Sequence, residues 1–232
     1  MRGLREITRR AGVALIVDEI QSGFGRTGKM FAFEHAGIEP DVVVLSKAIG
    51  GSLPLAVVVY HDDLDVWQPG AHAGTFRGNQ LAMAAGTATL AYVREHGLAE
   101  RAAAVGARML DRLRPLATEF DCVGDVRGRG LMIGLELVDP EGPPHPDPDG
   151  PRPAAPELAA AVQRECLRRG LIVELGGRRS SVVRLLPPLT ISDEQTSAVL
   201  DRLADAVSAV SATARGDRRH GRDGEQGADG PR

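Results

Sequence analysis

The chain has 232 residues, of which 43% are hydrophobic and 25% charged, with a formal net charge of −3. That balance suits a globular protein with a sizeable core and leaves no electrostatic footprint for nucleic acid or an anionic membrane. The longest apolar run, 53–60, is far too short to cross a bilayer. Two cysteines cannot build a disulfide framework, and six scattered histidines with no CxxC leave no metal site expected.

"MRGLREITRR" is basic with no apolar stretch behind it, so no secretory leader is expected. Short apolar runs at 13–17, 42–45 and 55–60 read as strands buried on both faces of an α/β sheet. The first ends at Asp18-Glu19 and the second at Ser46-Lys47, placing polar groups where open α/β sheets bind ligands. Residues 79–96 read as a helix. Another starts at Leu98, with Ala102, Val105, Met109 and Leu113 at helical spacing and Pro115 as its stop. Residues 123–138 read as strand, glycine-rich turn and strand. Residues 139–156, dense in Pro, Gly and Asp, read as an exposed loop. A helix bearing Leu158, Val162 and Cys166 follows, then strands at 171–174 and 182–186. Ser192 and Gln195 form a capping box for a last helix with Val199, Leu203, Val207 and Val210 on one face. From 213 the polar composition predicts a disordered tail.

"GFGRTGKM", 23–30, is one residue from a phosphate-binding P-loop, but Met30 stands where the magnesium-binding hydroxyl belongs, and a strand end rich in acid precedes it. A nucleotide site is therefore the weaker reading. Taken whole, "DEIQSGFGRTG" resembles the strand-end segment of class III aminotransferases, fold type I enzymes that use pyridoxal 5′-phosphate. The resemblance continues through "VVVLSKAIGGSLPLAVVV", "HAGTFRGNQLAMAAGTATL", "VGDVRGRGLMIGLEL" and "VVRLLPPLTISDEQ", covering 1–210 in family order.

The resemblance implies an α/β fold: part of a large cofactor domain with a mixed, mostly parallel sheet over 1–97, a small α+β domain over 98–212, and the tail. It implies that Lys47 bonds to the cofactor aldehyde and shuttles a proton, and that the carboxylate of Asp18 keeps the pyridine nitrogen protonated. Gln21 matches the residue bonded to the ring oxygen. Thr75 matches a hydroxyl reaching the phosphate from a neighbouring subunit, with a helix cap as its alternative. Arg184 matches the guanidinium that clamps a substrate carboxylate. Arg26, Arg127 and Arg129 lie in family motifs without an assigned role. The partners implied are an amino donor, a 2-oxo acid and a second copy of the chain; Cys122 and Cys166, both within apolar patterns, read separately as reduced, buried thiols of a cytoplasmic protein. "GTFRGNQLAMAAGTATL" and "ELGGRRSSVVRLLPPL" are most similar to members acting on 2,4-diaminobutyrate and 2-oxoglutarate. Ornithine, acetylornithine and 4-aminobutyrate remain open as donors, as do an aminomutase or racemase reaction and a non-catalytic remnant. Family chains are longer on the N-terminal side, where the phosphate loop, the ring-stacking aromatic and an acidic segment lie. This stretch by itself is expected to transaminate poorly.

Overall fold

The computed structural model describes residues 1–143, 150 and 152–225. Helix α1 (Arg2–Ala11) ends at Gly12, whose left-handed φ of 64° lets its N–H and that of Val13 close onto the carbonyls of Arg9 and Thr8. Val13 is spent on that cap, so the first strand, β1 (Ile16–Asp18), starts later than the apolar run suggests. Strand β2 (Val42–Leu45) runs parallel to β1, with Asp18 opposite Val44. Strand β3 (Val57–Tyr60) pairs antiparallel to β2.

The expectation of strands buried on both faces is corrected. Val17 is buried between Ile16, 63% exposed, and Asp18, also exposed. The core cluster of Phe24, Leu45 and Ile49, joined by Val43, Leu55 and Val57, covers one side of the sheet. Among the described residues the side carrying Ile16, Asp18 and Val58 is left open.

Asp41, between the Pro40 turn and β2, joins these pieces. Its carboxylate accepts two hydrogen bonds from the Arg5 guanidinium, one of 2.8 Å, and another of 2.7 Å from the Leu15 N–H. The Arg5 bonds, then the Leu15 bond, pull the Asp41 pKa from 3.8 down to about 2. A depressed carboxylate adds stability above its unfolded value and loses it as pH falls through the folded one. Urea midpoints followed by circular dichroism are therefore expected to drop between pH 3.8 and about 2. The Asp41→Asn variant should have a lower midpoint at neutral pH and a flatter profile across that window. Parallel profiles would remove Asp41 from the acid transition.

Helix α2 (Gln80–Glu95) is opened by Asn79, whose side chain accepts from the N–H groups of Leu81 and Ala82 at 3.0 and 3.2 Å. The cap is thus Asn79 itself and not Thr75. In α3 (Leu98–Leu113) the positions anticipated from spacing, Ala102, Val105, Met109 and Leu113, are all buried. Pro115 then starts the short α4 (Leu116–Glu119).

The chain divides into two compact units. One holds Met1–Gly106, Arg129–Met132 and Pro188–Thr190. The other holds Ala107–Gly128, Ile133–Pro187 and the residues from Ile191 onward. Ala99 and Ala103 on the first turns of α3 lie against Gly25 and Gly28 of the first unit.

In the second unit, β4 (Val123–Arg129), β5 (Met132–Leu137), β6 (Glu174–Gly176) and β7 (Val182–Leu185) form a sheet of order β4-β5-β7-β6. The strand expected at 171–174 lies instead at Glu174–Gly176. Just before it, the Leu171 N–H donates to the Cys166 carbonyl at 2.9 Å and the Val173 carbonyl accepts from the Gln163 side chain at 2.9 Å, so these groups are spent outside the ladder. Helix α5 (Pro156–Arg168) buries Ala159, Val162 and Cys166, and burial pushes the Cys166 thiol up to about 11. Helix α6 (Asp193–Glu225) starts at the anticipated capping box: Gln195 N–H donates to the Ser192 hydroxyl at 3.1 Å, and Ser192 N–H to the Gln195 side chain at 3.0 Å. Its inward face is Thr196, Leu200, Leu203 and Val207, while Val199 and Val210 are half-buried.

The tail expected to be disordered from 213 is helical backbone as far as Glu225. An established helix extends at one hydrogen bond per residue without a second nucleation cost. Residues 226–232 lie outside the described residues, as do 144–149 and 151 of the anticipated loop. The described ends of that loop are pinned by Asp139 N–H to Pro153 carbonyl at 2.8 Å. No described helix is long and apolar enough to cross a membrane.

Candidate active site

Because β1 and β2 run parallel, their C-terminal ends share one edge of the sheet. That edge carries Asp18, the last residue of β1, and Lys47, two residues past β2. Asp18 accepts the Ile20 N–H at 2.9 Å through one oxygen, which starts the turn out of the strand. Its neighbour Glu19 points the other way and is fully buried, as strand alternation requires. The Glu19 carboxylate accepts from the Ser22 hydroxyl at 2.6 Å and the Phe33 N–H at 2.9 Å, so it organises the loop behind the edge. Its neighbour's exposure is thereby fixed, a positioning role that sequence reading did not supply. Alternation beside Asp18 was the available signal.

Lys47 opens a 3₁₀ turn (Lys47–Gly50) and has a φ of +50°, which costs a non-glycine residue about 1–2 kcal/mol. The surroundings hold it there. The Ser46 hydroxyl donates to the Leu55 carbonyl at 3.0 Å. A Cβ on Gly86 of α2 would come within 2.7 Å of the Ile49 carbonyl oxygen, and one on Gly51 within 2.8 Å of the Thr89 hydroxyl. Missing side chains let the turn seat directly on α2. The turn is clamped while the Lys47 side chain stays exposed.

The chain contains two lysines. Lys29 donates from Nζ to the Glu34 carbonyl at 3.3 Å, inside the 23–30 loop. The glycines of that loop do not form an open cradle. A Cβ on Gly28 would meet the Ala103 Cβ at 2.9 Å, and one on Gly25 the Ala99 backbone at 3.2 Å, so both glycines are consumed by packing on α3. Arg26 ties the loop to Leu131 through reciprocal bonds, its N–H group at 3.3 Å and its carbonyl at 2.9 Å, and burial lowers its guanidinium pKa. The near-P-loop pattern is thus a helix-packing loop.

Gln21 lies half-buried in the turn beyond Glu19. Thr75 is exposed in the 74–77 turn, on a different segment from the Asp18–Lys47 edge. Arg184 belongs to the second unit. It is the centre of a row across the second sheet, with Gly134 on one side and Glu174 on the other. Arg127 pairs with Glu136 and Asp125 on that sheet, a structural role. Among the described residues no group of three or more His, Cys, Asp or Glu could hold a metal ion.

Residues 1–207 match the family model described as aminotransferase class-III. The chain belongs to this family. Over 206 residues the class-III chain is 57% identical to diaminobutyrate–2-oxoglutarate aminotransferase of Rhizobium meliloti (strain 1021), spanning 89% of this chain and 43% of that protein. It is 48% identical to the protein of the same name from Haemophilus influenzae, spanning 89% and 45%. Among solved structures, ornithine aminotransferase from Toxoplasma gondii ME49 superposes with a TM-score of 0.78 at 32% identity, spanning 90% of this chain and 46% of that one. A phospholyase from Arthrobacter in complex with phosphoethanolamine gives 0.80 at 31%, spanning 89% and 48%. The class-III chain spans less than half the length of these relatives. Class III aminotransferases depend on pyridoxal phosphate, and the residues present fit that group: a primary amine and a carboxylate, both solvent-accessible, follow or end adjacent parallel strands on the same edge of the sheet.

Proposed function

We propose that the protein takes part in pyridoxal phosphate-dependent transamination, moving an amino group from 2,4-diaminobutyrate to 2-oxoglutarate and yielding aspartate 4-semialdehyde and glutamate. The observation that carries this reading is Lys47, held in a left-handed conformation at the same sheet edge as Asp18. When bound, the cofactor supplies an electron-accepting ring that lets a proton leave the carbon bearing the amino group. Lys47 holds the cofactor through its amine and carries that proton. Asp18 keeps a proton on the ring nitrogen, and its exposed carboxylate oxygens suit that role. Gln21 donates to the ring oxygen, Thr75 reaches the phosphate from a second copy in a homodimer, and Arg184 clamps the substrate carboxylate through its planar fork. Residues 1–97 then serve as part of the cofactor domain and 98–212 as the small domain. The buried thiols of Cys122 and Cys166 agree with a reducing cytoplasm.

The choice of donor rests on similarity to the diaminobutyrate enzymes, since related donors differ in pocket contacts more than in catalytic groups. The test is glutamate formation from 2-oxoglutarate, with pyridoxal phosphate and each of 2,4-diaminobutyrate, ornithine, acetylornithine and 4-aminobutyrate. Turnover, slow for this stretch by itself, is expected to be fastest with diaminobutyrate, and no glutamate from any donor in a full-length protein carrying this stretch would overturn the reading. Asp18→Asn is expected to slow turnover by about a hundredfold or more while leaving covalent attachment at Lys47 intact. Unchanged turnover would remove Asp18 from the chemistry.

A further inference from the structure

The second sheet has a glycine where its ladder would tolerate almost any residue, and the reason lies in one side chain. Glu174 and Gly176 are two apart on β6 and so project to the same face. Arg184 on β7 is directly opposite Glu174, which makes Gly176 its diagonal neighbour. The Arg184 stem leans along the strand onto that glycine. A Cβ at 176 would overlap the Arg184 Cδ and stand 3.3 Å from Nε and 3.4 Å from Cγ. The backbone gives no other reason for glycine here, since Gly176 is outside the left-handed region that Gly177 occupies at φ +71°.

We infer that Gly176 is a positioning residue for Arg184, its missing side chain forming the ledge that sets the direction of the guanidinium. The inference rests on the reading of Arg184 as a carboxylate clamp. A second contact on this face is weaker: Glu174 Oε2 lies 3.8 Å from the Arg184 Nη1 and its side chain is 69% exposed. An exposed pair of that kind contributes little, whereas a methyl group in occupied space forces the arginine into another rotamer. The steric ledge constrains where Arg184 points more than this ion pair does. A bidentate clamp works through alignment of two parallel N–H···O bonds, so a changed rotamer costs most of its value.

The test uses the full chain and two readouts. The first is the arginine Nε–Hε nuclear magnetic resonance spectrum, with the Arg184 signal identified by its loss in Arg184→Lys. Gly176→Ala is expected to shift that signal while the amide spectrum and melting temperature hold. The second is glutarate binding by calorimetry. Gly176→Ala is expected to weaken it about ten- to a hundredfold, Glu174→Gln by less than about threefold, and Gly176→Ala should add nothing in an Arg184→Ala background. An unmoved Arg184 signal overturns the proposal. A Gly176→Ala chain that fails to fold also overturns it, because the glycine would then serve the backbone. Glutarate binding that survives Arg184→Ala sinks the clamp reading instead, and the arginine signal still decides the role of Gly176.

Discussion

Borohydride reduction in the presence of pyridoxal phosphate is expected to label the peptide containing Lys47 and to leave Lys29 unlabelled. The two lysines differ in setting more than in chemistry. Lys29 donates to a backbone carbonyl within a loop packed on α3, well past the end of β1 at Asp18. Lys47 is exposed at the C-terminal edge of parallel strands, where α/β sheets collect their ligands. Lys47→Ala should lose the label and slow transamination by at least about 10²- to 10⁴-fold, the usual contribution of a positioned proton carrier. Its melting temperature should stay close to that of the wild type, since the side chain supports no described hydrogen bond or ion pair that another residue depends on. Lys47→Gly should be more stable by about 1 kcal/mol, because glycine adopts φ +50° without strain. Label on Lys29 or the N-terminus would move the attachment point and end this account of the edge.

The largest stability effect is expected at a residue with no chemistry. Gly106→Ala should cost more than about 3 kcal/mol, or prevent folding, as read from urea unfolding followed by circular dichroism. Alanine at a helix interior normally gains about 1 kcal/mol over glycine, so propensity alone predicts the opposite sign. At 106, however, the new Cβ would collide with the Gly130 carbonyl group and sit 2.7 Å from the Gly130 Cα. Gly130 cannot retreat. Its own open side is filled by the Thr27 and Arg26 backbone, with the Arg26 oxygen 2.6 Å from where its Cβ would be. Three backbone segments meet there without side chains between them, and overpacking against backbone has no rotamer through which to relax. Gly106→Ala as stable as the wild type would show that α3 can slide away from the turn, and would loosen the 23–30 loop in the same measurement.

The residues also show how far a sequence can be read unaided. Strand alternation at Asp18-Glu19 is a signal the sequence itself carries for one outward and one inward carboxylate. The spacing of Ala102, Val105, Met109 and Leu113 found the buried stripe of α3, and Ser192 with Gln195 found the start of α6. These signals are local, set by the 2- and 3.6-residue periods and by short-range hydrogen bonding. The motifs around Lys47 likewise carried the family, because their order along the chain is itself sequence information.

Other features depended on neighbours distant in sequence. The glycines of "GFGRTGKM" look alike whether they cradle a phosphate or admit a helix, and only Ala99 and Ala103 against them select the second. Leu171 to Val173 have strand composition, but Cys166 takes the Leu171 N–H and Gln163 the Val173 carbonyl. Asp41 gained its role from Arg5, 36 positions earlier. The sequence by itself determined the family, the buried stripe of α3 and the start of α6. The tertiary structure decided which glycines are packing surfaces, which strand faces stay open and which backbone is held under strain, because those depend on close approach between segments that local periodicity does not encode.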